Sequence, residues 1–289
     1  MKANPLTTLS RIRESKRPGV RRHFCFMEGI IMSYLNGQTG YRASLLANRS
    51  VIGKNYVVLE PDGLVKNVVP GYEGCDVTIL GSPAMGATFA DYLVTVHPGG
   101  KNTGIGGNGI ESFLYVVSGT VTAKNDDASA ELTAGGYFYS PENLPMTFKS
   151  TGDAVLYVYR RRYVPLAGFA AHTVTGNESD IPYQDYEGMA TAQSKDFLPS
   201  ASDLGFDMNM HILKFSPGAS HGYVETHVQQ HGMYFLQGKG MYLLDDTWMP
   251  LEKGDYCFMD SYCPQACYAV GDKDYIYIYS KDCNRDVAL

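Results

Sequence analysis

An internal repeat constrains the fold of this chain more than any other feature of its sequence. Gly99 and Gly218 each close a Pro-Gly dipeptide, and they lie 119 positions apart (218 − 99 = 119). The same spacing aligns further turn residues, without a gap, throughout residues 93–153: Gly119 with Gly238, Gly135 with Gly254, Pro145 with Pro264, and Gly152 with Gly271. Glycines in turns are selected by backbone geometry, so this match indicates two copies of one folding unit.

The segments between these turns have the pattern of β-strands. With a shift of one residue, residues 156–159 (Leu-Tyr-Val-Tyr) align with residues 276–279 (Ile-Tyr-Ile-Tyr). Such short aromatic and β-branched runs, alternating with period two, are typical of half-buried antiparallel strands. The 31 glycines and 22 tyrosines favour many short strands joined by tight turns. The sequence therefore predicts an all-β sandwich or small barrel.

Composition excludes several classes of partner. A net charge of −6 gives no reason to expect nucleic acid or an anionic membrane as a partner, and no stretch is apolar enough to span a bilayer. The six cysteines include no Cys-x-x-Cys pair, which argues against a zinc-thiolate site. Without a secretory signal, we expect free thiols and a cytoplasmic location.

The repeat and the changes in composition suggest four segments. Residues 1–31 are basic and are expected to be a disordered extension, with a mitochondrial-type presequence as the alternative. Residues 32–165 form the N-terminal copy, and residues 198–289 form the C-terminal copy. Residues 166–197 are polar and are interpreted as the connector between them.

A cluster of possible metal ligands occurs in the C-terminal copy. Glu225 and His227 are two residues apart, a spacing that places both side chains on one face of a β-strand. His231 follows four residues later, just before an apolar run. A carboxylate and two imidazoles that converge on one point can bind a divalent metal ion. This interpretation requires a strand over residues 225–227, and the many nearby glycines argue against a helix.

The spacing of these residues resembles the motifs of the cupin family. The first cupin motif is G-x5-H-x-H-x(3,4)-E-x6-G, and here Glu225, His227 and His231 lie between Gly218 and Gly238, with the carboxylate and one histidine exchanged. The second cupin motif resembles residues 254–265, and its usual histidine falls on Gln265. The resemblance implies a bicupin, with two jelly-roll (double-stranded β-helix) barrels in tandem. It also implies a site of one glutamate, two histidines and the amide oxygen of Gln265.

The N-terminal copy provides an internal comparison for these four residues. At the spacing of the repeat, Glu225, His227, His231 and Gln265 correspond to Gly106, Asn108, Ser112 and Met146. All four candidate ligands are replaced together, while the turn glycines remain. We therefore predict one metal ion, in the C-terminal copy only. The set of two imidazoles, one carboxylate and one amide oxygen favours octahedral manganese(II) or iron(II), with zinc as a weaker alternative.

Other polar residues can reach the same cavity. Tyr277 and Lys281 are four apart on the last predicted strand and share a face, so Lys281 can hold a substrate carboxylate or carry a proton. Core packing is the expected role of Tyr242. His221 lies near the motif but outside it, and its role stays open. The remaining histidines are interpreted as structural: His23, His97, His172 and His211.

Over residues 32–289 the sequence resembles the (S)-ureidoglycine aminohydrolase family, bicupin enzymes of purine catabolism. The resemblance rests on stretches such as residues 113–119 (Phe-Leu-Tyr-Val-Val-Ser-Gly) and 225–232 (Glu-Thr-His-Val-Gln-Gln-His-Gly). It implies a bound Mn²⁺. The implied metal ligands are Glu225, His227, His231 and Gln265, and the implied substrate contacts are Glu225, Gln265, Tyr277 and Lys281.

The resemblance also implies a reaction. Members of the family release ammonia from (S)-ureidoglycine and form (S)-ureidoglycolate during allantoin degradation. Glu225 and Lys281 are the expected catalytic residues, and which of them is the base stays open. We expect a homo-oligomer that acts on a small molecule. The alternatives are an iron(II) cupin dioxygenase, a non-catalytic bicupin that stores or binds ligands, and, more remotely, a cupin isomerase.

Overall fold

The alternation of apolar and polar residues produces a structure dominated by β-strands. The computed structural model describes residues 48–287 and 289, so the expected extension of residues 1–31 lies outside the described part. Its helical segments are the short 3₁₀ turns Pro61–Gly63, Pro83–Met85 and Glu178–Asp180. The predicted all-β class is confirmed. Within the same residues, a search found no helix with the length and hydrophobicity that a bilayer span requires.

The strands fall into a first and a second half of the chain. Those of the first half are β1 (Val51–Ile52), β2 (Tyr56–Leu59), β3 (Lys66–Asn67), β4 (Tyr72–Ile79), β5 (Phe89–Ile105), β6 (Ile110–Ser118), β7 (Thr120–Lys124), β8 (Ser129–Thr133), β9 (Gly136–Ser140), β10 (Met146–Lys149) and β11 (Ala154–Arg162). Those of the second half are β12 (Val174–Asn177), β13 (Gln184–Tyr186), β14 (Met189–Asp196), β15 (Met208–Phe215), β16 (His231–Gln237), β17 (Lys239–Leu244), β18 (Thr247–Glu252), β19 (Tyr256–Met259), β20 (Gln265–Val270) and β21 (Tyr275–Asp282).

Both halves pair their strands in the same order. The order across the sheet is β9-β6-β11-β5 in the first half and β19-β16-β21-β15 in the second. Likewise, β7 lies between β8 and β10, and β17 lies between β18 and β20. The partner residues correspond as well, since Ser112 faces Ser140 and His231 faces Met259. The repeat predicted from the sequence is therefore present in the strand pairing.

The last strand of the repeat has a different register from the predicted one. Val94 pairs with Leu156, and its counterpart Leu213 pairs with Tyr277, which lies 121 positions after Leu156 (277 − 156 = 121). The predicted one-residue shift is therefore wrong, and the structure requires a shift of two residues. Because neighbouring residues in a strand point to opposite faces, this correction makes Leu156, and not Tyr157, the counterpart of Tyr277.

The repeat also extends farther towards the N-terminus than the sequence comparison indicated. Ser194 in β14 pairs with Leu213 just as Val77 in β4 pairs with Val94, at a spacing of 117 positions (194 − 77 = 117). Residues 174–196, within the expected connector, thus have structural counterparts in the segment before β5.

The two halves exchange their leading strands. β2 comes before the repeated strands of the first half but pairs with β19 of the second half, where Leu59 faces Tyr256. β12 comes before the repeated strands of the second half but pairs with β9 of the first half, where Gly176 faces Tyr137. Residues 51–59, assigned by the sequence to the N-terminal copy, are thereby part of the C-terminal sheet. This reciprocal exchange ties the two halves together through main-chain hydrogen bonds.

The apolar side chains form three clusters. One lies within the first half and contains Val94 and Leu156, and one lies within the second half and contains Phe235 and Tyr277. The third joins the two sheets and includes aromatic residues of both halves, such as Phe258. Each such side chain contributes about 1.5–3 kcal/mol when it is fully buried.

The two halves differ most after their first long strand. β5 continues to Ile105 and pairs with β10, whereas β15 ends at Phe215 and is followed by a loop over residues 216–230. Two isolated bridges and a few further main-chain hydrogen bonds join this loop to β20, and its last residues lead into β16. The 216–230 loop carries Glu225 and His227 of the predicted site.

The predicted strand over residues 225–227 is wrong. Glu225 forms a single-residue bridge with Gln265, and His227 lies in the loop. The main-chain ladder stops at Cys267, whose N–H donates to Nδ1 of the His221 ring at 2.9 Å. A continued antiparallel ladder would pair this N–H with a main-chain carbonyl. The side chain of His221 takes the place of that carbonyl, so the loop departs from the sheet.

Candidate metal and substrate site

The structure brings all six predicted site residues to one cavity. The cavity is small and partly open to solvent. Six of the residues that line it were predicted from the sequence: Glu225, His227, His231, Gln265, Tyr277 and Lys281. The loop supplies two of these residues, and the first residues of β16 and β20 supply two more. β21 supplies Tyr277 and Lys281 from one face, as their spacing predicts.

The two imidazoles meet at their Nε2 atoms. His227 Nε2 lies 3.2 Å from His231 Nε2, and each ring has its Nδ1 near a main-chain carbonyl. His231 Nδ1 donates to the oxygen of Ser280 at 2.7 Å, and His227 Nδ1 donates to the oxygen of Gln229 at 3.2 Å. Because a carbonyl can only accept, the proton of each neutral ring is on Nδ1, and both Nε2 lone pairs face the cavity.

Burial keeps these rings neutral. It lowers the pKa of His231 well below its ordinary value, and the neighbouring His227 lowers it further. Burial also lowers the pKa of His227, and the Lys281 ammonium acts in the same direction. Neutral imidazoles with exposed lone pairs are the form that binds metal ions.

The other two predicted ligands come from facing segments. Glu225 N donates to the Gln265 oxygen at 2.8 Å, and Gln265 N donates to the Glu225 oxygen at 3.0 Å. The amide nitrogen Nε2 of Gln265 lies 2.9 Å from His227 Nε2 and donates to its lone pair. The Glu225 carboxylate instead accepts a hydrogen bond from the Tyr186 hydroxyl, with Oε1 at 2.5 Å.

The metal itself stays a prediction. Within residues 48–287 and 289, no group of three or more histidine, cysteine, aspartate and glutamate side chains is arranged to hold a metal ion. Glu225 is bonded to Tyr186, and Gln265 offers an amide, so two imidazoles are left as the convergent pair. The donor chemistry nevertheless fits a divalent cation. The His227 lone pair accepts from the Gln265 amide nitrogen, and a cation held by both imidazoles would take the place of this hydrogen bond.

Lys281 and Tyr277 complete the polar lining. Within the described part of the chain, the Lys281 ammonium has no carboxylate in ion-pair contact, although Asp196 lies near enough to feel its charge. Tyr277 is fully buried, and its hydroxyl lies 3.3 Å from that of Tyr242. Tyr242, for which the sequence predicted core packing, both packs in the core and lines the cavity.

The sequence analysis missed Tyr186. This residue is the last of β13, within the expected connector, and its side chain reaches the cavity from a hairpin. Burial raises the pKa of its hydroxyl, with further contributions from Tyr279 and Glu225, so the hydroxyl remains a donor. No sequence motif marks it, because its counterpart in the first half is outside the detected repeat.

The equivalent positions of the first half offer no such donors. Ser112 and Met146 are buried, and Gly106 and Asn108 adopt left-handed backbone conformations with φ of 79° and 55°. A Cβ atom at Gly106 would lie 2.3 Å from the Ser112 hydroxyl. A side chain as large as glutamate therefore does not fit at this position without rearrangement.

The comparisons with known proteins concern the fold and the family of the chain. No protein-family model matches the chain. The fold is similar to the crystal structure of the protein Ylba from E. coli, with a TM-score of 0.77 and 53% identity, covering 86% of this chain and 100% of that one.

Two curated relatives carry the same enzyme name. The chain is 30% identical over 239 residues to (S)-ureidoglycine aminohydrolase of Arabidopsis thaliana, covering 82% of this chain and 79% of the relative. It is 55% identical over 263 residues to (S)-ureidoglycine aminohydrolase of Escherichia coli (strain K12), covering 89% of this chain and 100% of that enzyme. Identity at this level over the full length of a curated enzyme confirms the resemblance: the chain belongs to the (S)-ureidoglycine aminohydrolase family.

Proposed function

We propose that this protein converts (S)-ureidoglycine and water into (S)-ureidoglycolate and ammonia, a step of allantoin degradation in purine catabolism. The main support is the 55% identity to the E. coli enzyme of that name over its whole length. The convergence of six polar residues on one cavity gives this activity a plausible location. The remainder of the proposal concerns how those residues act.

The proposed cofactor is Mn²⁺, held by Glu225, His227, His231 and Gln265. When bound, such an ion anchors and orients the substrate and stabilises negative charge. The two imidazoles present their Nε2 lone pairs, and Gln265 presents its amide beside them. The carbonyls that receive the Nδ1 protons hold both rings in this orientation.

Lys281 is the proposed partner of the substrate carboxylate. Its ammonium lines the cavity and is not engaged by a carboxylate of the described residues, so it is available to an anionic ligand. The same charge lowers the pKa of His227, which shows that its field reaches the imidazoles. A carboxylate bound there places the reacting carbon near the proposed ligands.

Glu225 is the proposed proton acceptor. In the reaction the C–N bond to the amine breaks, the nitrogen leaves as ammonia with an added proton, and the oxygen of water bonds to the same carbon. Glu225, oriented by the Tyr186 hydroxyl, takes the proton that this water loses. A substrate held at both ends exposes one face of its carbon to water, which accounts for a single product enantiomer.

The proposed architecture is a bicupin, with each half of the chain closed into a barrel. The matching strand orders and the two separate apolar interiors support this proposal. We propose that residues 32–165 and 198–289 form most of the two cupins, with β2 exchanged into the C-terminal sheet, β12 exchanged into the N-terminal sheet, and β13 and β14 of the expected connector added to the C-terminal sheet. We propose that the first barrel binds no metal and serves packing and assembly.

Two further features of the proposal concern the assembly of the protein and its location in the cell. We propose a homo-oligomer, which size-exclusion chromatography with light scattering would test. We also propose a cytoplasmic location. The cysteines of the described residues are free thiols, as expected in a reducing compartment: Cys75, Cys257, Cys263, Cys267 and Cys283.

The decisive experiment measures ammonia released from ureidoglycine that is generated in situ from allantoate. The protein is purified from metal-poor culture and assayed with and without added Mn²⁺, and the chirality of the ureidoglycolate is recorded. We expect release of ammonia that depends on Mn²⁺ and a product of the S configuration. Uptake of oxygen coupled to turnover would favour the dioxygenase instead. Absence of ammonia release would favour a non-catalytic binding protein.

A further inference from the structure

His221 is a buried residue in the cavity wall that the proposed reaction has not yet used. It is only 8% exposed to solvent, and its ring packs edge-on against Phe215, with centroids 4.8 Å apart. Two hydrogen bonds to Cys267 hold it in place. His221 N donates to the Cys267 oxygen, and Cys267 N donates to His221 Nδ1, both at 2.9 Å.

These hydrogen bonds determine which ring nitrogen carries the proton. A main-chain N–H can only donate, so Nδ1 of His221 must accept and cannot bear a proton. The proton of the neutral ring is therefore on Nε2. A doubly protonated ring would place two donors against each other at Cys267. Burial, which lowers the pKa of His221, favours the same neutral form.

The Nε2–H group has no protein partner. It is buried and lies within hydrogen-bonding distance of no acceptor among the described residues. His221 lines the cavity, and because its Nδ1 is bonded to Cys267 N, Nε2 is the ring nitrogen left to meet a ligand. Buried donors in native structures are almost always paired, so a water or a ligand in the cavity is expected to accept from this one.

The place of His221 along the cavity suggests which part of a ligand it meets. Its partner Cys267 lies beside the Tyr277 hydroxyl, whereas Lys281 is four residues farther along β21, about 13 Å along the strand. The cation and the neutral donor thus belong to different parts of the cavity wall. A carboxylate suits the cation, and a neutral carbonyl oxygen suits the uncharged donor.

We propose that His221 Nε2–H donates a hydrogen bond to the carbonyl oxygen of the substrate's ureido group and so selects and positions that group. This inference rests on the proposed function. It makes His221 a substrate-binding residue distinct from the four proposed metal ligands.

The first half of the chain suggests a substitution that separates binding from structure. The counterpart of His221 is Asn102, which is buried and whose Oδ1 accepts a main-chain hydrogen bond from Gly104. In His221→Asn, the amide oxygen can still accept from Cys267 N, but no donor reaches the former Nε2 position. In His221→Gln, the longer amide places a donor near that position and loses the bond to Cys267.

The test measures binding by calorimetry at saturating Mn²⁺. The probes are N-carbamoylglycine, which has the carboxylate and ureido group but no amine, and guanidinoacetate, which has no ureido oxygen. We expect the wild type to prefer N-carbamoylglycine. His221→Asn should lose about tenfold of this preference, with unchanged melting temperature and metal content, and His221→Gln should restore part of it.

The proposal would be overturned if His221→Asn kept the wild-type preference for N-carbamoylglycine. It would also be overturned if His221→Gln lost stability and neither variant changed that preference. Those results would mean that the ring serves only to hold Cys267. The proposed function is judged separately, because a wild type that binds N-carbamoylglycine but releases no ammonia from ureidoglycine would refute the activity alone.

Discussion

Glu225 and Gln265 are joined by two reciprocal main-chain hydrogen bonds, of 2.8 and 3.0 Å, although they lie 40 positions apart (265 − 225 = 40). This isolated bridge is the point at which the 216–230 loop is attached to β20 near the cavity. Residues directly opposite each other in an antiparallel pair have neighbouring side chains. The bridge therefore brings together ligands that the sequence assigns to two separate motifs.

Substitution of Glu225 by alanine should remove metal binding and activity together. The side chain is partly exposed and has one hydrogen bond, to Tyr186, so its loss should change the free energy of unfolding by no more than about 1 kcal/mol. Metal content by mass spectrometry, ammonia release and thermal unfolding check this prediction. Ser112→Ala, at the position equivalent to His231, is the control and should retain its metal. A Glu225→Ala variant with full turnover would contradict the assignment.

Substitution of Lys281 by methionine should weaken substrate binding and leave the metal in place. A charge-assisted hydrogen bond to a carboxylate contributes about 1.5–3 kcal/mol, so KM should rise about 10- to 100-fold. Lys214→Met is a matched control on the adjacent strand, where the ammonium lies over the Tyr183 ring, 4.0 Å from its centroid. Loss of metal from Lys281→Met would show that Lys281 supports the metal site.

Removal of the Tyr186 hydroxyl should reduce kcat more than it changes stability. In Tyr186→Phe the Glu225 carboxylate loses its donor, and without that restraint it is less often oriented towards water. We expect a decrease of about tenfold in kcat and a shifted pH profile. Tyr183→Phe, three residues earlier, is the control because its ring packs beneath Lys195 and Lys214. Equal kinetics in the two variants would remove Tyr186 from the site.

A buried carboxylate between the two halves should make stability depend on pH. Burial raises the pKa of Asp91 to about 7, although the Tyr256 hydroxyl donates a hydrogen bond that opposes this shift. The unfolded chain has a pKa near 3.9 here, so the folded state binds more protons between about pH 4 and pH 7. Stability from this group is therefore present at low pH and is lost as the pH rises through 7.

Asp91→Asn should consequently be more stable than the wild type at pH 8, by about 1–4 kcal/mol, and similar to it near pH 4. Urea unfolding across this range measures the difference. Asp76→Asn is a control of opposite sign, because Lys66 and then His97 lower the pKa of that exposed carboxyl. A difference for Asp91→Asn that does not vary with pH would contradict the prediction.

Sequence reasoning located the candidate site through local spacing and missed features that depend on distant pairing. The spacing of Glu225, His227 and His231 predicted their convergence, but it also predicted a strand that the structure lacks. The ladder ends because a side chain, that of His221, takes a main-chain donor. The replacement of a main-chain carbonyl by a histidine side chain as hydrogen-bond acceptor leaves no periodic pattern in the sequence.

The repeat shows the same limit. Its centre was visible because turn glycines such as Gly119 and Gly238 require positive φ, here 83° and 74°, which few other residues adopt. Its ends were misaligned or undetected, because strand residues tolerate many apolar replacements and carry little information about register.

The amino-acid sequence alone determined the all-β class, the duplication and the group of residues that could hold a metal, because each is encoded in short stretches of chain. Only the tertiary structure decided that the leading strands are exchanged, that β21 pairs two residues out of the simple repeat, and that Tyr186 reaches Glu225. The first two features depend on main-chain hydrogen bonds between segments far apart in sequence, and such bonds are available to almost any residue. The third is a side-chain hydrogen bond between two segments that only the fold brings together.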